Sequence, residues 1–172
     1  MALWLELREA LRQPEYVHVL VNPMPVYGLA IGVLSFVIAW VARKRAARGL
    51  AYALIFLAGM SAWPAAHFGE AGYDRVYSMS GTQAQKWLIW HRHLAERAVW
   101  ACYGAAAISA AALVSLWKGL KIHRLAACLS LASALLALGL SCLAAFAGGR
   151  IRHSEFRNGP PPAWADTSPE PD

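Results

Sequence analysis

Two stretches decide the fold: AVWACYGAAAISAAALVSLW at Ala98–Trp117 and LAACLSLASALLALGLSCLAAFAGG at Leu125–Gly149. Neither holds a charged residue, and only the short link Lys118 to Arg124 parts them. A helix needs about 20 mainly apolar residues to cross a hydrocarbon core of roughly 30 Å. Backbone N–H and C=O groups in lipid must be satisfied within their own segment, so each stretch reads as a transmembrane helix. The short link makes the pair an antiparallel hairpin. Two charge-free windows of the same kind come earlier: Val19–Ala42, with its core at Val26–Val41, and Gly49–Gly69. They are joined by Arg43-Lys44-Arg45-Ala46-Ala47-Arg48, a second short link. The expected fold is all-α: a four-span transmembrane bundle built from two antiparallel hairpins.

Composition agrees. Of 172 residues, 58% are hydrophobic and 15% charged, against roughly 25% charged in an ordinary soluble domain. Mean hydropathy is +0.38. That balance argues against a soluble enzyme, a disordered chain and a coiled coil. The domain expected is a single membrane unit over residues 1–157, with spans at about 20–42, 49–68, 98–117 and 125–148. Residues 158–172 carry Pro160-Pro161-Pro162, Pro169 and Pro171 and are expected to be extended or disordered. Between spans two and three lies a longer outer loop of about 70–97. Ser78 to Thr82 reads as a loop within it. Gln83 to Arg97 reads as a helix leading into span three, with Trp87 and Trp90 suited to a membrane interface. Met1 to Gln13 gathers Leu3, Trp4, Leu7 and Leu11 on one helical face, the pattern of a short helix lying flat in the interface or packed on nearby loops. It lacks the basic start and long apolar run of a cleavable signal peptide.

Charge placement gives an orientation. Of 16 Lys and Arg residues, seven (Arg43, Lys44, Arg45, Arg48, Lys118, Lys121 and Arg124) lie in the two short links. The positive-inside rule puts those links in the cytoplasm and both termini in the periplasm of a bacterial inner membrane. All ten acidic residues then fall on the outward side. The net charge of +6 thus reports orientation and contact with anionic lipid, not a nucleic-acid partner.

Chemistry gathers at one end. Five of the six histidines (His18, His67, His91, His93 and His153) map to the outer face, while His123 sits in a link. His67 and Glu70, and His93 and Glu96, are spaced i, i+3, which puts each pair on one helical face. Glu155 follows His153 closely. A carboxylate beside an imidazole fixes its tautomer and raises its basicity. Three readings stay open: two histidines on facing helices ligating a haem b, a non-haem metal bound by His67, Glu70, His93, Glu96 and His153, or interfacial histidines that cap helices and meet headgroups. His67 and His93, on neighbouring antiparallel helices, are the first candidates for haem ligands; His18, His91 and His153 are the alternates. No catalytic motif is present, and no charge sits at mid-span as a proton-coupled transporter would need. Cys102, Cys128 and Cys142 lie inside spans with no metal or haem-attachment spacing. Gly28 and Gly32, with the small residues Ala126, Ser130, Ala134, Ser141 and Ala145, allow close helix contact within the bundle or in a homo-oligomer.

The residues resemble a bacterial group of small four-helix membrane proteins that carry a domain of unknown function. The resemblance rests on His18 with Pro25-Val26-Tyr27-Gly28-Leu29, on Ser61-Ala62-Trp63-Pro64, and on Gly69-Glu70-Ala71-Gly72-Tyr73-Asp74-Arg75-Val76. It continues in His91-Arg92-His93-Leu94-Ala95-Glu96 and in the ending Gly148-Gly149-Arg150-Ile151-Arg152-His153-Ser154-Glu155-Phe156-Arg157-Asn158-Gly159-Pro160. The group often opens span one with His-Phe-Pro. Here Pro23-Met24-Pro25 stands in that place, so the role of the missing histidine does not transfer. The resemblance implies the four-helix fold and work beside cytochromes. The function expected is a redox-associated membrane protein with a His-rich outer site for haem b, serving electron transfer with a redox partner or membrane complex. The alternative is a non-catalytic accessory subunit.

Overall fold

The computed structural model describes residues 1–166. Among them the chain is all-α. A short helix α1 (Ala2–Ala10) leads to α2 (Pro14–Val21) and α3 (Pro23–Ala42), then α4 (Arg45–Met60) and α5 (Ala62–Ala71). After α6 (Tyr73–Ser78) come the two long helices α7 (Thr82–Trp117) and α8 (His123–Arg152).

Four rods cross the bundle: Pro14–Ala42, Arg45–Ala71, Thr82–Trp117 and His123–Arg152, of 29, 27, 36 and 30 residues. At about 1.5 Å rise per residue each exceeds the roughly 30 Å of a hydrocarbon core. Span three and its lead-in are one uninterrupted helix, as Gln83 to Arg97 indicated. Spans one and two are each broken instead. Pro23 opens α3 at its first turn, and a proline has no N–H to continue the ladder. In the second span Pro64 leaves the Met60 carbonyl without its helical donor, and the axis breaks at Ser61, whose hydroxyl bonds the Ala58 carbonyl at 2.6 Å.

The rods form a ring in which α3 packs on α4, α4 on α7, α7 on α8 and α8 back on α3. Both hairpin links leave their first helix through a left-handed residue, Arg43 at φ 55° and Gly119 at φ 64°. Arg45 ties the hairpins together by donating to the Leu116 carbonyl at 2.6 Å and the Trp117 carbonyl at 2.9 Å.

The radial order of side chains is the reverse of a soluble core. Small residues fill the interior: Ala51, Ala58, Ala105, Ala112, Ala134, Ala137, Ser109 and Ser130 are all buried. Large apolar residues face outward, among them Ile31, Leu34, Ile38, Leu57, Leu125, Leu136 and Leu143. Small residues bring backbones close where lipid removes the hydrophobic drive to associate. The chain is a multi-pass membrane protein. Gly28 and Gly32 are used inside the bundle, against α4: a Cβ would lie 2.9 Å from Ala58 Cβ at Gly28 and 2.8 Å from Ile55 Cγ1 at Gly32.

Two expectations change. Trp87 is not an interfacial side chain; it is 2% exposed, covered by the Arg150 guanidinium at 4.8 Å. Arg150 also lies 4.1 Å from the Phe146 ring, and this stacking accounts for a nearly buried cation. The tail is not extended throughout: Ala163–Asp166 forms a 3-10 turn whose Ala165 is buried and donates its N–H to the Pro162 carbonyl at 2.9 Å. The rest of the tail, residues 167–172, lies outside the described residues.

Candidate functional site

The end of the bundle that carries both termini is built from α2, α5 and the adjoining halves of α7 and α8. They surround a cavity of about 770 Å³ whose walls include Pro25, Ala62, Leu88, Val99, Ala144 and Gly148. Cys102 and Ser141 also line it, 3.6 Å apart. α2 packs on α5 and α3.

Two histidines enter this cavity, one from each hairpin: His18 on α2 and His91 on α7. His18 Nδ1 lies 2.8 Å from the Ala65 carbonyl oxygen on α5. His91 Nδ1 lies 2.8 Å from the Ala144 carbonyl oxygen on α8. A carbonyl only accepts, so each Nδ1 carries a proton and donates it, and it is Nε2 that holds the lone pair whenever such a ring is neutral. That is the tautomer a metal needs, with the donated N–H fixing the ring orientation.

The approach of each ring depends on a glycine one turn past the accepting carbonyl. A Cβ on Gly69 would lie 2.9 Å from both Cε1 and Nδ1 of His18. A Cβ on Gly148 would lie 3.2 Å from the same atoms of His91. The sequence repeats accordingly: Ala65-Ala66-His67-Phe68-Gly69 and Ala144-Ala145-Phe146-Ala147-Gly148 share Ala-Ala-x-x-Gly. Each hairpin thus carries one histidine on its first helix and its carbonyl and clearance on its second.

The two rings face each other with centroids 6.3 Å apart and planes at 73°. A metal bonded to two imidazole nitrogens at about 2 Å each, with about 1 Å more from nitrogen to ring centre, sets the centroids roughly 6 Å apart. That ring separation would leave room for His18 and His91 to hold one ion between them. Among the described residues no three His, Cys, Asp or Glu side chains come close enough to hold an ion together. Two imidazoles suffice where a porphyrin supplies the other four nitrogens, and the size and apolar walls of the cavity suit such a group.

The other candidate histidines, His67, His93 and His153, lie off this cavity, while Glu70 and Glu96 stand at its rim. His67 is exposed and stacked on Trp63, with centroids 5.5 Å apart and planes at 7°. His93 is exposed. Each sits two residues from a position that faces the cavity, Gly69 and His91, and two residues turn a helix by about 200°. His153 is exposed and pairs with Glu155 at 3.0 Å. The Glu155 carboxyl is held below the usual range first by its own backbone N–H and then by His153. Glu70 and Glu96 converge on Arg92, at 2.7 and 3.5 Å. Arg92 also lies over the Tyr73 ring, 4.7 Å from its centroid. Burial pushes the Tyr73 phenol up, against the opposing pull of Arg92, so it stays protonated at neutral pH.

Comparisons with protein-family models, with curated proteins and with solved structures found no match to this chain.

Proposed function

We propose that this membrane protein binds one haem b between His18 and His91 and passes electrons at the outer face of a bacterial inner membrane. The observation that carries the reading is the matched imidazole pair, each Nδ1 tied to a backbone carbonyl at 2.8 Å and the rings 6.3 Å apart. When bound, such a haem supplies reversible one-electron chemistry at its iron. The chain's own residues would do the rest. His18 and His91 would present Nε2 to the iron. Ala65 and Ala144 would hold the rings in place through their carbonyls. Pro25, Ala62, Val99 and Ala144 would exclude water from the macrocycle, which tunes potential through the local dielectric. The seven Lys and Arg residues concentrated in the two short links support placing this end in the periplasm, and membership of the four-helix group it resembles is part of the same proposal.

The test is the visible spectrum of the full chain, expressed with ample haem and purified in mild detergent. We expect a six-coordinate, low-spin haem whose ferric resonance is strongly anisotropic, as near-perpendicular imidazole planes dictate. His18→Ala and His91→Ala should each convert it to a high-spin form or abolish it. His67→Ala and His93→Ala should leave it unchanged. A haem-free preparation, or a spectrum lost with His67 or His93 instead, would overturn the assignment. A reporter fused after Asp172 should be active only on the periplasmic side; cytoplasmic activity would reverse the orientation.

A further inference from the structure

The rim of the cavity carries three arginines, and their pairing is unequal. Arg75 is bound to Glu15 at 3.0 Å. Arg92 is bound to Glu70 at 2.7 Å and faces Glu96 at 3.5 Å. Arg152 lines the same cavity, is exposed, and has no ion pair or hydrogen bond among the described residues. It stands in the last turn of α8, four residues after Gly148, so both share one helical face. Gly148 is the residue against which His91 rests. An unpaired guanidinium thus sits one turn beyond a histidine contact, where an apolar cavity meets polar surroundings.

We propose that Arg152 is the anchor for a carboxylate on the cavity's ligand. This rests on the haem reading, in which that carboxylate is a propionate. The ligand implied is amphipathic, with an apolar body among the small residues of the walls and an anionic edge at the rim. The rim's other two arginines already face carboxylates, Arg75 that of Glu15 and Arg92 those of Glu70 and Glu96, so Arg152 is the rim guanidinium whose donors are left for an incoming anion. The guanidinium fork suits a carboxylate, by two parallel N–H donations.

The test crosses a change in the protein with a change in the ligand. Haem b and its dimethyl ester, which lacks the carboxylates, are each titrated into the full-length protein in detergent, as wild type, Arg152→Gln and Arg152→Lys. A charge-assisted hydrogen bond is stronger than a neutral one, and exposure to solvent weakens it. Arg152→Gln should therefore weaken haem binding about tenfold. It should change ester binding by less than about twofold, the signature of a direct pairing. Arg152→Lys should recover most of the loss. Equal weakening of both ligands would overturn the proposal, as expected of a residue that holds α8 or a lipid phosphate instead. Unchanged haem binding in Arg152→Gln would overturn it too, with the haem reading intact. Wild type that takes up neither ligand would bring down the haem reading itself.

Discussion

The two hairpins hold their histidines by one device and build their helices in opposite ways. In the first, both helices are broken, at Asn22 and at Ser61, and His18 rides on the eight-residue α2, which has no buried residue. In the second, both helices run unbroken, and His91 sits inside the 36-residue α7. The seams differ as well. The first closes on glycine contacts, Gly28 against Ala58 and Gly32 against Ile55. The second closes on a hydroxyl pair, Ser109 and Ser130 at 2.7 Å, both fully buried. Yet Nδ1 meets a carbonyl at 2.8 Å in both. Placing the ring needs only an accepting carbonyl and a missing Cβ one turn beyond it. Both requirements are local, so the site tolerates two different scaffolds.

The sharpest way to break the likeness is to fill the clearances. Gly69→Ala puts a methyl 2.9 Å from the His18 ring, and Gly148→Ala puts one 3.2 Å from the His91 ring. The first spacing forces the ring to move; the second asks it to give by a few tenths of an ångström. Overpacking costs about 1–3 kcal/mol, so Gly69→Ala should weaken haem binding about ten- to a hundredfold, and Gly148→Ala by less. Haem titration of the two variants measures the gap. Equal losses would mean that α2, on its short segment, shifts as freely as a ring rotates.

The seams offer a smaller contrast. Gly32→Ala would press a methyl on Ile55, 2.8 Å from Cγ1 and 3.3 Å from the backbone nitrogen. Because backbone stands behind the side chain, about 1–3 kcal/mol should be lost. Ser130→Ala removes the partner of Ser109, and hydrogen bonds between membrane helices average only about 0.6 kcal/mol. Thermal unfolding in detergent should rank Gly32→Ala well below Ser130→Ala in stability. A reversed order would show that the hydroxyl pair, not close backbone approach, carries helix association here.

The same contrast explains how much could be read without coordinates. The four spans, both links and the helix leading into span three were legible because charge-free runs of bilayer length admit few other structures. The set of histidines at one end was legible for the same reason. Which two meet was not. His67 and His93 lie on the right helices, but two residues of rotation separate them from Gly69 and His91, and the facing angle of α5 depends on the break at Ser61. The signal that marks the pair is the repeated Ala-Ala-x-x-Gly at Ala65 and Ala144. It is faint in a chain so rich in alanine, and its meaning depends on knowing which carbonyl a distant imidazole reaches. Trp87 was misplaced because its covering cation, Arg150, arrives from the far end of the sequence.

The links supply the finest test of the pairing between hairpins. Both first helices end through a left-handed residue, but one link uses Gly119 and the other Arg43. A non-glycine residue in that region costs about 1–2 kcal/mol, less for Asn. At Gly119 a Cβ would meet nothing within 4 Å, so Gly119→Ala should destabilise by about 1 kcal/mol from the backbone alone. Arg43→Gly relieves the strain yet frees the unfolded chain, and the two nearly offset. A gain of a few tenths of a kcal/mol is expected, visible as a slight rise in unfolding temperature. Arg43→Asn separates the backbone from the charge, since asparagine tolerates the same φ while removing the cation. If Arg43→Asn and Arg43→Gly both lower stability, the Arg43 cation outweighs the strain of its backbone. The first link would then be held by its headgroup contacts and the second by its turn geometry.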